Sequence, residues 1–154
     1  MPLLLAVDLG LRTRLAAYGA DGRLRWYRSQ HFANRASLRR GVAGLLDAEP
    51  AVTHLVLEGG GPLAIIWARE ADRRRIPARQ VAAETWRARL LGDPQRLDRD
   101  RAKLAADLLA RRVIARSAAP RPTSLRHDAA EAILVGLWAV VELGWLPPAE
   151  IPGP

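Results

Sequence analysis

Four acidic residues stand where apolar segments of this sequence begin or end. Asp8 follows the apolar residues 3–7, Glu58 follows the mostly apolar residues 52–57, and Asp128 and Glu131 open a long apolar segment. An ionised carboxylate beside a dry core is costly unless it is hydrogen-bonded, paired or bound to a metal ion. Carboxylate oxygens are also the ligands that hard divalent cations prefer in proteins. The four residues are therefore a candidate cation site.

Each of these carboxylates also has a purely structural interpretation. Asp8 could bond to the amides of a turn, and Glu58 could be a strand-end residue exposed to water. Asp128 and Glu131 form an Asp-x-x-Glu pattern, which can cap the start of a helix without any metal ion. Because these two lie three residues apart on a predicted helix, their side chains also project from one face and could share an ion. Metal binding and structural roles both remain open from the residues alone.

The elements that must position these carboxylates begin with strands. Residues 3–7 are apolar on both faces, as in a central strand. Asp21-Gly22 is a pair that accepts positive φ in a tight two-residue turn, so it indicates a hairpin between the segments on either side. The five predicted strands cover residues 3–7, 15–18, 24–27, 51–57 and 78–83.

Helices are predicted between and after the later strands. Asn34 can cap a helix that ends before Pro50, with an apolar stripe formed by Leu38, Val42, Leu45 and Leu46. Further helices are predicted at residues 63–75, 86–91, 99–115 and 128–143, and residues 118–124 are predicted to be a loop. The last helix is apolar almost all round, so it must lie in the core or at a subunit contact.

The order of these elements predicts an α/β domain with a five-stranded mixed sheet. Three strands form an antiparallel meander, and the strands that follow are joined by helical crossovers, which makes them parallel and covers both faces with helices. Ligands collect beyond the carboxyl ends of parallel strands in such sheets. Asp8 and Glu58 stand at two of these ends, so we expect them to be neighbours.

Composition limits the class of protein. The 154 residues fit one domain, which we place at residues 1–146 with a disordered tail at residues 147–154. Lys and Arg number 24 against 16 Asp and Glu, for a formal charge of +8, which permits phosphate binding. Cysteine is absent, which excludes thiolate chemistry. No apolar stretch reaches the roughly 18 residues of a membrane span, so a cytoplasmic protein is expected. Glu70, Asp72 and Asp98 have arginine neighbours and are interpreted as surface ion pairs.

Three segments of the sequence resemble a known family. They are residues 7–13 (VDLGLRT), residues 57–58 (LE) and residues 126–132 (RHDAAEA). In order and spacing they resemble RuvC-type Holliday junction resolvases of the ribonuclease H-like superfamily, over nearly the whole domain. Residues 84–87 (ETWR) followed by Gly92, and residues 100–103 (DRAK), are similar to two further blocks that carry basic residues in that family.

The resemblance implies specific roles for residues of this chain. Asp8, Glu58, Asp128 and Glu131 would bind two Mg²⁺ ions, for which Mn²⁺ can substitute, and His127 is an additional candidate ligand. Lys103 would lie near the scissile phosphate. The candidates for contact with nucleic acid are Arg12, Arg87 and Lys103.

The chain departs from the family pattern at two places. The segment after Glu58 is Gly59-Gly60-Gly61, where the family commonly has an aromatic residue that acts at the junction centre, and Leu9 replaces a familiar proline.

The function implied by the resemblance is a Mg²⁺-dependent, structure-selective endonuclease that resolves four-way DNA junctions as a homodimer. Two alternatives remain: a nuclease of the same fold acting on an RNA–DNA hybrid or another branched DNA, and a non-catalytic nucleic-acid-binding module.

Overall fold

A computed structural model describes residues 1–92, 98–117, 119 and 127–153, without the side chains of residues 127 and 128. It contains one five-stranded sheet and five α-helices within these residues. The strands are β1 (Leu3–Asp8), β2 (Arg12–Gly19), β3 (Leu24–His31), β4 (Val52–Glu58) and β5 (Ala78–Val81). The helices are α1 (Arg35–Ala48), α2 (Gly61–Arg73), α3 (Ala83–Leu91), α4 (Arg99–Ala115) and α5 (His127–Glu142).

The sheet has the order β3-β2-β1-β4-β5. β1 pairs with β2, and β2 with β3, in antiparallel fashion, whereas β4 is parallel to both β1 and β5. The predicted mixed sheet, antiparallel and then parallel, is therefore confirmed.

The hairpin is longer than the apolar pattern predicts. β2 and β3 extend to the polar residues Arg12 and His31, which pair with each other because backbone hydrogen bonding does not require apolar side chains on an edge strand. The connection also spans residues 20–23 rather than two residues. The Gly22 amide donates to the Gly19 carbonyl at 2.9 Å, which closes a β-turn inside the loop. Gly22 has φ +76°, and Asp21 accepts a hydrogen bond from the Arg23 amide at 3.0 Å.

The two faces of the sheet carry separate apolar cores. One core lies under α1 and α2, and the other lies under α3, α4 and α5. Asn34 caps α1 as predicted, because its Oδ1 accepts from the Ser37 amide at 2.9 Å. α5 packs across β1 and β2 and is buried along nearly its whole length, so its apolar surface belongs to the core of the domain.

The interpretation of Glu70 as a surface ion pair is wrong. Its exposed fraction is 4%, and it accepts hydrogen bonds from Arg73 at 2.8 Å and from Arg74 at 2.7 Å. Arg74 also reaches Asp47 of α1 at 2.7 Å, so this network ties α1 to α2. A buried carboxylate is tolerated here because two cations pair with it.

A disordered tail is predicted at residues 147–154, but the described residues of this segment have a defined conformation. Pro148–Glu150 form a 3₁₀ helix, and Ile151 packs against the core beside α4 and α5. Arg112 and Arg116 of α4 donate hydrogen bonds to the carbonyls of Gly153 and Glu150. Apolar burial and these bonds hold the segment in place. No helix among the described residues is both long and apolar enough to cross a membrane.

Candidate metal centre

The register of the two central strands places Asp8 beside Glu58. The two are paired Cα partners at the carboxyl ends of β1 and β4, and the Leu9 amide bonds to the Glu58 carbonyl at 3.3 Å. Side chains alternate along a strand, and the preceding Ala6 and Val56 face the core under α5. Asp8 and Glu58 therefore end the sheet face that α5 covers.

Helix α5 brings the third carboxylate to this edge. Glu131 lies in its second turn, and the helix is held against the sheet immediately after that point. The buried Tyr18 hydroxyl of β2 donates to the Ile133 carbonyl at 2.5 Å. Gly136 allows this contact, since a Cβ there would come within 2.3 Å of the Tyr18 ring. The lateral position of Glu131 is thus set by contacts to β2.

Asp8, Glu58 and Glu131 converge. Each offers one carboxylate oxygen, and these three atoms all lie within 4.8 Å of one another. Asp128 belongs to the first turn of α5, and its side chain and that of the neighbouring His127 lie outside the described residues. Three of the four predicted ligands are thus brought together, and the predicted role of Asp128 stays a prediction.

The crowding of carboxylates is reflected in the protonation of Glu58. The pKa of Glu58 is raised from its ordinary value of 4.5 to about 7, first by burial and then by the negative charges of Asp8 and Glu131. A hydrogen bond from Trp86 and the positive charge of Arg87 oppose the rise in pKa without cancelling it. The ionised form of Glu58 is therefore disfavoured by burial and by like charge.

Arginines of β2 and α3 contact the cluster within the described part of the chain. Arg14 Nη1 donates to Asp8 Oδ2 at 3.1 Å, and Arg87 Nη2 donates to Glu131 Oε1 at 2.9 Å. Arg87 was predicted as a contact to nucleic acid, whereas Arg14 was missed. The sequence does contain an indication of this contact. Because β1 and β2 form an antiparallel pair, one residue of β2 must lie opposite Asp8, and that residue is Arg14.

Trp86 is a further residue that sequence reasoning missed at this site. Its indole Nε1 donates to Glu58 Oε2 at 3.1 Å. The apolar character of the residue indicates core packing, which the structure also shows. Nothing in the local sequence indicates the carboxylate partner, because the two residues belong to α3 and β4.

A cleft of about 390 Å³ opens beside the carboxylates. Arg87 of α3, Lys103 of α4 and Glu131 of α5 line it together. The predicted nucleic-acid contacts Arg87 and Lys103 therefore share a cavity with a member of the cluster. Arg12 is exposed at the start of β2 and is paired in register with His31 of β3.

The donor set fits a hard divalent cation. Three carboxylates supply only oxygen atoms, which Mg²⁺ and Mn²⁺ prefer, whereas a zinc site would favour cysteine or several histidines. Burial beside two other carboxylates raises the pKa of Glu58, and a cation bound to the cluster would favour its ionised form.

The glycine turn after Glu58 has a defined backbone. Gly59 and Gly61 have φ values of +110° and +77°, which other residues rarely adopt. Gly60 caps α2 with an extended backbone at φ −156°, and a Cβ built there would meet nothing within 4 Å. Glycine is needed at two of the three positions for conformation, and Gly60 alone could take a side chain without strain.

This sheet order, with acidic residues at the ends of its first and fourth strands and helices on both faces, defines a ribonuclease H-like fold. The chain is similar to the RuvC structure of Thermus thermophilus, with a TM-score of 0.67 and 14% identity, over 92% of this chain and 96% of that one. It is also similar to T. thermophilus RuvC in complex with a Holliday junction substrate, with a TM-score of 0.61 and 13% identity, over 94% and 96% of the two chains. No protein-family model and no curated protein sequence matches the chain. The fold implied by the sequence resemblance is therefore confirmed.

Proposed function

We propose that this chain is a divalent-metal-dependent endonuclease that cleaves DNA at four-way junctions. The observation that supports this most directly is the convergence of the Asp8, Glu58 and Glu131 oxygens within 4.8 Å of one another, in a fold shared with RuvC. The cluster lies next to a cleft that contains Arg87 and Lys103, within a chain of formal charge +8. Acidic metal ligands within a basic protein suit a polyanionic substrate.

In this proposal Asp8, Glu58, Asp128 and Glu131 hold two Mg²⁺ ions, which Mn²⁺ can replace. When bound, the ions would activate a water nucleophile and neutralise charge on the leaving oxygen of a phosphodiester. Lys103, which lines the same cleft, brings a compact positive charge to the scissile phosphate. Arg87 and Arg12 contribute further contacts to the phosphate backbone.

The proposed substrate follows from a comparison structure. One similar RuvC was solved with a Holliday junction substrate, and four-way DNA is accordingly the substrate proposed for this chain. Cutting two symmetry-related strands of such a junction requires two active sites related by a two-fold axis, so we propose a homodimer. We further propose a role in DNA recombination and repair, and a location in the cytoplasm.

The test is cleavage of a synthetic four-way junction by the purified protein, with linear duplex of matched sequence and an RNA–DNA hybrid as competing substrates. We expect symmetric nicks in the junction with Mg²⁺ or Mn²⁺ and none after chelation. Asp8→Asn removes a ligand charge with little change of shape, so cleavage should fall on the order of 100-fold or more, because metal-supplied charge stabilisation is worth several kcal/mol. Junction binding should persist in this variant.

The matched control is Glu142→Gln, which removes an acid from the far end of α5. Its activity should equal that of the unaltered protein. If Asp8→Asn retains near-native metal-dependent cleavage, Asp8 is not a ligand. A protein that digests RNA–DNA hybrids and ignores junctions would instead be a nuclease that acts on hybrids. The Gly59-Gly60-Gly61 turn, which has no aromatic residue, also favours that second function.

A further inference from the structure

Trp86 lies at the boundary between the apolar core and the carboxylate cluster. Its exposed fraction is 0%, and it belongs to the core formed with α4 and α5. The polar edge of the same ring reaches the cluster, where the indole N–H donates to Glu58 Oε2 at 3.1 Å. The packed ring cannot reorient without disturbing the core, so the direction of this hydrogen bond is fixed.

Trp67 shows that burial alone does not require such a partner. It is 1% exposed in the core under α1 and α2, and its indole nitrogen has no hydrogen-bond partner among the described residues. Trp67 and Trp86 are thus buried to a similar extent, and of these two only Trp86 donates a hydrogen bond to a candidate metal ligand. Trp67 provides an internal comparison for the contribution of that one contact.

The chemistry of the indole suits a ligand-holding role. An indole N–H is only a donor and carries no charge, so it neither competes for a cation as a ligand nor repels one. The contacts of Arg14 to Asp8 and of Arg87 to Glu131 differ, because both arginines are cations. A bound metal ion would repel these two cations, whereas it would not repel the neutral indole of Trp86.

We propose that Trp86 is a positioning residue, which holds the Glu58 carboxylate in the orientation for cation binding through its indole hydrogen bond. This inference rests on the proposed metal site and adds to it a neutral donor from α3. Partners that orient metal ligands in this way commonly change metal affinity by about 10–100-fold when they are removed.

The test is Mn²⁺ and Mg²⁺ affinity of the full chain, measured by titration calorimetry without DNA. Trp86→Phe removes the donor, and Trp67→Phe is the control for loss of ring volume in a buried site. We expect the Trp86→Phe dissociation constant to rise by about 10-fold or more, and that of Trp67→Phe to stay within about 2-fold of the unaltered protein. Equal affinities for the two variants would overturn the proposal.

A second replacement keeps the test decisive if Trp86→Phe does not fold. Benzothienylalanine at position 86 preserves the bicyclic shape and replaces the N–H with sulfur, so it removes only the hydrogen bond. The same rise in dissociation constant is expected, and an unchanged constant would overturn the proposal.

Metal titration also separates this proposal from the proposed function. If the unaltered protein binds cations but cleaves no DNA, the nuclease proposal fails, while the comparison of the two variants still decides the role of Trp86. An unaltered protein that binds no divalent cation overturns both.

Discussion

In the metal-free protein, Glu58 should lower the stability of the fold as pH rises, and Glu58→Gln should remove this effect. Because the folded-state pKa of Glu58 is raised from 4.5 to about 7, the folded chain retains a proton that the unfolded chain has released. The free energy of unfolding therefore decreases as pH rises through this interval, relative to that of the glutamine variant. Below the unfolded-state pKa the two proteins should show the same pH dependence.

The magnitude follows from the same pKa values. The interval from 4.5 to about 7 corresponds to about 3 kcal/mol, at about 1.4 kcal/mol per pKa unit. Glu58 is only partly buried, so solvent screening reduces the expected loss to about 1–2 kcal/mol. Mg²⁺ should reverse the sign, because cation binding displaces the proton and strengthens as pH rises.

Urea unfolding followed by tryptophan fluorescence measures this difference. The free energies of unfolding of the unaltered protein and Glu58→Gln would be compared with chelator from about pH 4 to about pH 8. Glu142→Gln is the control. It also removes an acid, but Glu142 lies at the end of α5 that is far from Glu131 and the carboxylate cluster. A difference between the unaltered protein and Glu58→Gln that stays constant with pH would refute the electrostatic description of the cluster.

Further predictions concern the cleft and the glycine turn. Arg87→Gln should tighten Mg²⁺ binding up to about 5-fold, because it frees Glu131 from a partly exposed ion pair worth up to about 1 kcal/mol. Lys103→Gln should leave Mg²⁺ affinity unchanged. Equal Mg²⁺ affinities of the Arg87→Gln and Lys103→Gln variants in calorimetry would contradict this prediction. Both variants should lower the salt dependence of DNA binding by about one unit of slope. Gly60→Phe should tighten junction binding by about 5-fold or more through base stacking worth about 1–3 kcal/mol, whereas Gly61→Phe should lose stability because of its φ of +77°. A Gly60→Phe variant that binds the junction no better in a fluorescence titration would argue against a role for this turn.

The sequence predicted those parts of the fold that depend on local patterns. Asp21-Gly22 and the apolar runs on either side indicated the hairpin, and the nearly uniform apolarity of α5 indicated its burial. The ends of β2 and β3 were missed because their last residues are polar and are held by backbone pairing alone. The burial of Glu70 was not predicted because it results from the packing of α1 against α2, and no local sequence pattern indicates that packing.

The candidate site could be predicted in part for the same reason. The carboxyl ends of the parallel strands were sufficient to predict Asp8 and Glu58 as neighbours, and the family resemblance added Glu131. The partners of these carboxylates were harder to predict, because each comes from another element. Arg14 follows from the hairpin register, whereas the Trp86 contact depends on how α3 docks on the sheet, and that docking is a tertiary property.

The Tyr18–Ile133 contact and the pairing of β1 with β4 have a consequence for the order of folding. Asp8, Glu58 and Glu131 come from the first, middle and last thirds of the chain, so the cluster forms only after two long-range contacts have closed. Contacts of large sequence separation carry a high loop-closure entropy and form slowly. The docking of α5 through Tyr18 is the step that completes the site, so cation affinity should be acquired late in refolding, after the hairpin has formed.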